Sequence, residues 1–182
     1  MKILALLCSL LALTSFAPKP KLTSVKVVPG LTVGVPQGFT PLPDEGIAVK
    51  FPSPRKPLAV YSSPNSKVDF SVAVRPTMFG PDYNVLLPMY KASVQRLYTK
   101  VEFLTQEVRK VNGREFVALE FVSTLVDSRR GSNALAPLRK YEYIQYTVQG
   151  EQLYIFSFSA PADEQAQWRP VAQAVQSDIS LK

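Results

Sequence analysis

The chain has no histidine, and its one cysteine is Cys8. Histidine is the commonest general base, the usual partner of a nucleophilic serine and the commonest metal ligand. Its absence excludes the Ser–His hydrolases and nearly every transition-metal site. A single cysteine excludes an intrachain disulfide and a cysteine-based zinc site. There is no glycine-rich phosphate loop, no Asp-rich calcium loop, no internal repeat and no low-complexity tract. No apolar run reaches the roughly 18–20 residues that span a bilayer. The longest, Ile3 to Leu13, is interrupted only by Cys8 and Ser9.

That run sits in the setting of an export signal. Lys2 supplies the positive charge, Ile3 to Leu13 the apolar segment, and Ser15 and Ala17 the small residues of a cleavage site. Residues 1–17 therefore read as a signal peptide, and the protein as exported, either periplasmic or secreted. Cys8 lies inside the apolar run, too early for a lipoprotein attachment site. Pro18 would follow the cut directly, and proline restricts the backbone on both sides of itself. An uncleaved membrane tether is the alternative. Residues 18–30 read as a basic, proline-containing linker with a short edge strand at Ser24 to Val28, and residues 31–182 as one domain. The formal charge of +7 is spread along the chain. It serves solubility and also suits an anionic partner.

The remaining pattern alternates between strand and helix periods. Leu31 to Val35, Leu58 to Ser62 and Val68 to Val74 read as strands. Gly46 to Phe51 reads as another, because Ile47, Val49 and Phe51 alternate with Ala48 and Lys50. Tyr83 to Thr99 reads as a helix with Leu86, Met89, Tyr90, Val94 and Leu97 on one face and Pro88 near its start. Val101 to Val111 and Arg114 to Leu125 flank Asn112-Gly113, a strong hairpin signal. Lys140 to Val148 and Glu151 to Ser159 meet at Gln149-Gly150, a second hairpin. In these strands Tyr141 and Tyr143 point opposite to Ile144, Tyr146 and Val148. Leu153 and Ile155 point opposite to Tyr154, Phe156 and Phe158. A sheet apolar on both faces needs cover on both. Asp163 reads as the cap of a closing helix that carries Trp168, Val171, Ala172 and Val175, with Pro170 inside or near its first turn. Asp178 to Lys182 reads as an extended tail. The predicted fold class is α+β: an α/β/α sandwich with an antiparallel meander sheet flanked by a central and a C-terminal helix.

This order resembles that of the PsbP- and DcrB-like proteins, whose fold also includes the Ran-binding Mog proteins. The resemblance rests on the Pro36-Gln37-Gly38-Phe39 turn and on Asn112-Gly113-Arg114 followed by Phe116 to Phe121. It also rests on the Trp168 helix after Phe156-Ser157-Phe158, and it covers roughly Leu31 to Leu181. It implies a binding or assembly module of the kind found in exported photosystem accessory subunits, periplasmic proteins and regulators of other proteins. It carries over no site residue.

The chemistry-bearing groups give no catalytic constellation. Ser53-Pro54-Arg55-Lys56 has Ser-x-x-Lys spacing, but Pro54 and Pro57 oppose the helix that would align it. Asp44, Glu45, Glu115, Glu120 and Glu142 read as surface or hairpin-pairing charges rather than an acid/base pair. Arg109, Lys110 and Arg114 form one basic cluster. The candidate partner contacts are Met78 and Phe79 in one loop, and Arg129, Arg130, Arg139 and Lys140 around another. The aromatic set of the last two strands can build core or line an apolar cleft. The expected function is an exported, non-catalytic binding or assembly domain with no cofactor and no metal. Its partner is a protein or an anionic envelope surface, not nucleic acid. The alternatives are a carrier of an apolar small molecule or lipid between sheet and helix, and a hydrolase working without histidine or cysteine.

Overall fold

A computed structural model describes residues 20–127 and 135–182. The segment read as a signal peptide, and with it Cys8, lies outside the described residues, as do Arg129 and Arg130. The chain runs through β1 (Leu22–Val28), β2 (Leu31–Pro36), β3 (Thr40–Pro41), α1 (Asp44–Lys50), β4 (Ala59–Ser62), β5 (Asp69–Pro76) and α2 (Tyr83–Leu97). It continues with β6 (Lys100–Val111), β7 (Arg114–Leu125), β8 (Leu138–Gln149), β9 (Gln152–Pro161), α3 (Gln165–Ser177) and β10 (Ile179–Leu181). Seven strands form one sheet in the order β3-β4-β5-β9-β8-β7-β6, and β1-β2-β10 form a smaller one. All the recorded strand pairs are antiparallel.

The period-two pattern sorts the large sheet into two apolar faces. On one, Phe116, Tyr141, Tyr143, Phe156 and Phe158 pack beneath α3 and the small sheet, together with Val33, Ala172 and Val175. On the other, Val117, Leu119, Phe121, Ile144, Tyr146 and Val148 meet Tyr83, Leu86 and Val94 of α2. The result is the layered α+β sandwich read from the sequence, with the small sheet as additional cover beside α3. Most of the aromatic set is therefore core, and only Tyr154 of its outer members is partly buried.

The hairpins follow their turn chemistry. Asn112 and Gly113 have φ of 47° and 86°, the left-handed pair that a two-residue turn between twisted strands requires. The second turn is Gly150-Glu151, one residue later than expected, because Gln149 pairs with Gln152. The expected extended tail is β10, paired through Ile179 with Val33 of β2.

Two local expectations are corrected. Gly46 to Phe51 is not a strand but most of α1, with Ile47 buried and Val49 84% exposed. Alternation of Ile47, Val49 and Phe51 also places Ile47 and Phe51 four apart on one helical face. Asp44 and Glu45 in the first turn and Lys50 in the last complement the helix dipole. At α3, Asp163 is not the cap. It lies in a 3-10 turn at Ala162–Glu164, and the helix proper starts after Glu164. The Glu164 carboxylate instead accepts the Trp168 indole N–H at 2.8 Å. Among the described residues, no helix is long and apolar enough to cross a membrane.

Candidate functional site: two clefts at opposite ends of the sheet

The loop after β5 shares a groove with Met89, Tyr90 and Ser93 of α2. Thr77 N–H bonds the Glu151 carbonyl at 2.9 Å, which fixes the loop to the β8–β9 turn. Phe79 N–H bonds Thr77 Oγ1 at 3.1 Å. Beyond these anchors Met78 is 95% exposed and Phe79 is 49% exposed. They border a groove of about 990 Å³ whose other walls include Met89, Tyr90 and Leu153. Tyr90 is held by stacking on Tyr146, ring centroids 4.2 Å apart. Arg75 stands at the groove edge with its guanidinium bonded to the carbonyls of Arg55, Lys56 and Val74.

A second cleft, of about 300 Å³, opens on the α2 face at the other end of the strands. Strand register builds it. Ser62 pairs with Asp69, Asp69 with Ser159, and Ser159 with Glu142, so a polar row crosses β4, β5, β9 and β8. Ser71 and Ser157 form the adjacent pair. Lys50, from the end of α1, reaches Asp69 at 2.6 Å and the Ser66 carbonyl at 3.0 Å. Ser62 Oγ also donates to Asp69. At the other end of the row, Glu142 accepts hydrogen bonds from Ser123 Oγ at 2.7 Å and Tyr98 OH at 2.9 Å. Burial pushes the Glu142 carboxyl above the ordinary carboxylate range, against the opposing pull of the Ser123 and Tyr98 hydrogen bonds. The Tyr98 phenol is pushed up by its own burial and by the charge of Glu142.

A third polar group lies on the opposite face. Glu120 is 1% exposed and bonds Arg169 Nε at 2.7 Å, Tyr141 OH at 2.8 Å and Thr105 Oγ1 at 3.0 Å. Burial alone would raise its pKa. The bonds from Arg169, Tyr141 and Thr105 outweigh burial and hold it below the ordinary value. Arg169 belongs to α3, so this cluster ties that helix to the sheet.

Glu120 and Glu142 are thus buried, not the surface charges the sequence suggested. Both were legible from parity. Glu120 shares the parity of Phe116 and Ala118, and Glu142 that of Ile144 and Tyr146. They face opposite sides of the sheet, since Glu120 pairs with Tyr143 and Phe121 with Glu142. They cannot act on one substrate as an acid/base pair. No group of three or more potential ligands capable of holding a metal occurs among the described residues. Ser53, of the Ser-x-x-Lys spacing, lies outside any helix and accepts the Arg55 N–H at 3.2 Å.

The predicted contact residues divide between the two ends. Met78 and Phe79 lie together at the apolar groove. Arg139 and Lys140 lie in the first residues of β8, roughly 30 Å away by strand rise. Lys140 lines the polar cleft, whereas Arg139, its neighbour, points to the other face. In the second basic cluster, Arg109 bonds Tyr143 OH at 2.6 Å and Ser177 Oγ at 3.1 Å, and Arg114 reaches the Leu181 carbonyl at 3.4 Å. Those two arginines fasten the closing helix and β10.

No family model and no curated protein matches the chain. Solved structures do. The PsbP protein CyanoP of Synechocystis sp. PCC 6803 is 16% identical, with a TM-score of 0.57 over 92% of this chain and 96% of its own. The Ran-binding protein Mog1p of Saccharomyces cerevisiae is also 16% identical, with a TM-score of 0.56 over 89% of this chain and 96% of its own. LpqN of Mycobacterium tuberculosis, described as involved in cell envelope biogenesis, is 13% identical, with a TM-score of 0.53 over 89% of this chain and 91% of its own. At these identities the likeness concerns architecture, and it agrees with the resemblance read from the turn and hairpin motifs: the chain has the Mog/PsbP/DcrB fold.

Proposed function

We propose that this chain is an exported, non-catalytic accessory domain that binds a protein partner through the groove beside Met78 and Phe79. One observation carries the reading: a methionine 95% exposed and a phenylalanine 49% exposed at the rim of an apolar groove. Large apolar side chains gathered at a concave surface mark contact sites, because water gains when a partner covers them. The thioether of Met78 adapts to varied partners. Arg55 and Arg75 outnumber Glu151 at the groove, which suits a partner segment with an apolar anchor and an acidic flank. The fold supports the reading by analogy only: one similar protein is described as Ran-binding and another as involved in cell envelope biogenesis.

A photoreactive residue placed at position 78 tests it in intact cells. Discrete protein adducts are expected, lost on Phe79→Ser and not formed from position 139. An absence of adducts, or adducts indifferent to Phe79→Ser, overturns the reading. The groove volume also accommodates a small apolar molecule. A lipid that co-purifies in native mass spectrometry and disappears with Phe79→Ser would move the assignment to a carrier.

A further inference from the structure

The polar cleft contains a buried carboxyl group that has no bonded cation among the described residues. Glu142 is 6% exposed, and among the described residues its carboxylate bonds two hydroxyls, while Lys140 acts on it only through space, with no ion pair between them. Asp69, two strands away in the same row, shows the satisfied arrangement: its carboxylate holds the Lys50 ammonium at 2.6 Å. A buried carboxylate is costly unless it is paired and hydrogen-bonded. Open space adjoins Glu142, since the cleft of about 300 Å³ is lined by it.

The remaining lining narrows what fits there. The hydroxyls of Ser71, Ser157 and Ser159 line the cleft and bond no other group among the described residues. Each can donate or accept. Lys140 also lines the cleft; its ammonium attracts Glu142 through space but makes no direct ion pair among the described residues. Two ammonium groups in so small a space disfavour a metal ion, and Lys50 is already taken by Asp69. An inorganic anion would meet the charge of Glu142. Phe51, Leu125 and Leu138 supply apolar walls. The cleft therefore offers a buried negative group, an exposed positive group, neutral hydroxyls between them and an apolar side.

We propose that this cleft binds a small zwitterion of the α-amino-acid class, its ammonium on Glu142 and its carboxylate on Lys140 and the serine hydroxyls. The ammonium would do for Glu142 what Lys50 does for Asp69. The apolar walls receive the side chain, and the volume sets the upper size. This site is separate from the groove at Met78, so either assignment can fail without the other.

Amide NMR titration of the purified protein with the free L-amino acids, one at a time, tests the proposal. At least one is expected to give saturable shifts at Ser123, Glu142 and Ser157. N-acetylglycine, which lacks the ammonium, should give none. Ethanolamine, which lacks the carboxylate, should bind at least about tenfold more weakly. Glu142→Gln should weaken binding at least about tenfold, and Lys140→Met severalfold. Ser157→Ala, which removes only a half-buried hydroxyl, should also weaken it and serves if Glu142→Gln does not fold. The proposal is overturned if no amino acid shifts these amides at millimolar concentration. It is equally overturned if ethanolamine binds as tightly, or if the folded Glu142 or Ser157 variant binds as the parent does.

Discussion

Glu120 on β7 and Glu142 on β8 sit on adjacent strands of one sheet, are buried to nearly the same degree, and face opposite layers. Glu120 has a guanidinium, a phenol and a hydroxyl around it, and its acidity is increased. Glu142 is bonded to a phenol and a hydroxyl, feels Lys140 only through space, and its acidity is decreased by burial. Burial raises the pKa in both; at Glu120 the directly bonded Arg169, with Tyr141 and Thr105, outweighs it, and at Glu142 two hydroxyls and a distant Lys140 do not. The comparison separates two uses of a buried carboxylate. Under α3 the charge is matched within the chain and fastens a helix. On the α2 face the carboxyl group has no bonded cation and faces a cleft.

The comparison breaks most sharply at Arg169. Arg169→Met should leave Glu120 buried and unpaired and cost about 3 kcal/mol, read by urea unfolding. The figure sits at the low end for a buried pair because Arg169 is itself 42% exposed. Adding Glu120→Gln should recover most of the loss; no recovery would mean that Arg169 stabilises by packing alone. Next in size is Ser123→Ala, which removes a donor from Glu142. About 2 kcal/mol should be lost when Glu142 is ionised, and less in acid, where the carboxyl is protonated.

The pH dependence has opposite signs at the two sites. For Glu142 the folded pKa lies above the ordinary 4.5. Between that value and the raised one the folded state binds more protons, so its contribution to stability falls as pH rises. For Glu120 the folded pKa lies below 4.5, so its contribution is present above that value and lost as pH falls through the depressed one. Thermal unfolding across pH should show that Glu142→Gln flattens the decline on the less acidic side and raises stability near neutrality. Glu120→Gln should flatten only the acid limb. A Glu142→Gln protein with an unchanged profile would remove the contrast. The smallest effect belongs to the other cleft. Met78→Ser should change stability by less than about 0.5 kcal/mol, because so exposed a side chain has little to lose on unfolding.

Much of the architecture was readable because the long strands carry apolar residues at both parities. That pattern demanded cover on each face, and the faces of Tyr141, Ile144, Leu153 and Phe156 follow from counting. The Asn112-Gly113 turn was equally plain, since few dipeptides take two left-handed conformations cheaply. The α1 segment was not, because six residues of mixed polarity fit either period and flanking charges decide the matter. The small sheet was only half legible: β10 appeared as a tail, but its pairing with β2 joins segments far apart in sequence. The polar cleft was illegible for the same reason. Its residues come from α1, β5, β7, β8 and β9, and each alone resembles an ordinary surface serine, lysine or glutamate. Glu142 was the one available signal, a charge at a core parity.

The pairing of β2 with β10 has a consequence for how the chain folds. Gly34 N–H bonds the Asp178 carbonyl at 2.8 Å, and Asn112 donates to the Ile179 carbonyl at 2.9 Å. A side chain at position 34 would collide with Asp178, whose Cβ would lie 2.9 Å from the added atom. The three-stranded sheet beside α3 is thus complete only once β10 has reached β2, near the start of the domain. Such closure over a long loop is slow. The large sheet can pair all seven of its strands before that step, so the small sheet is the part whose completion waits for the last strand.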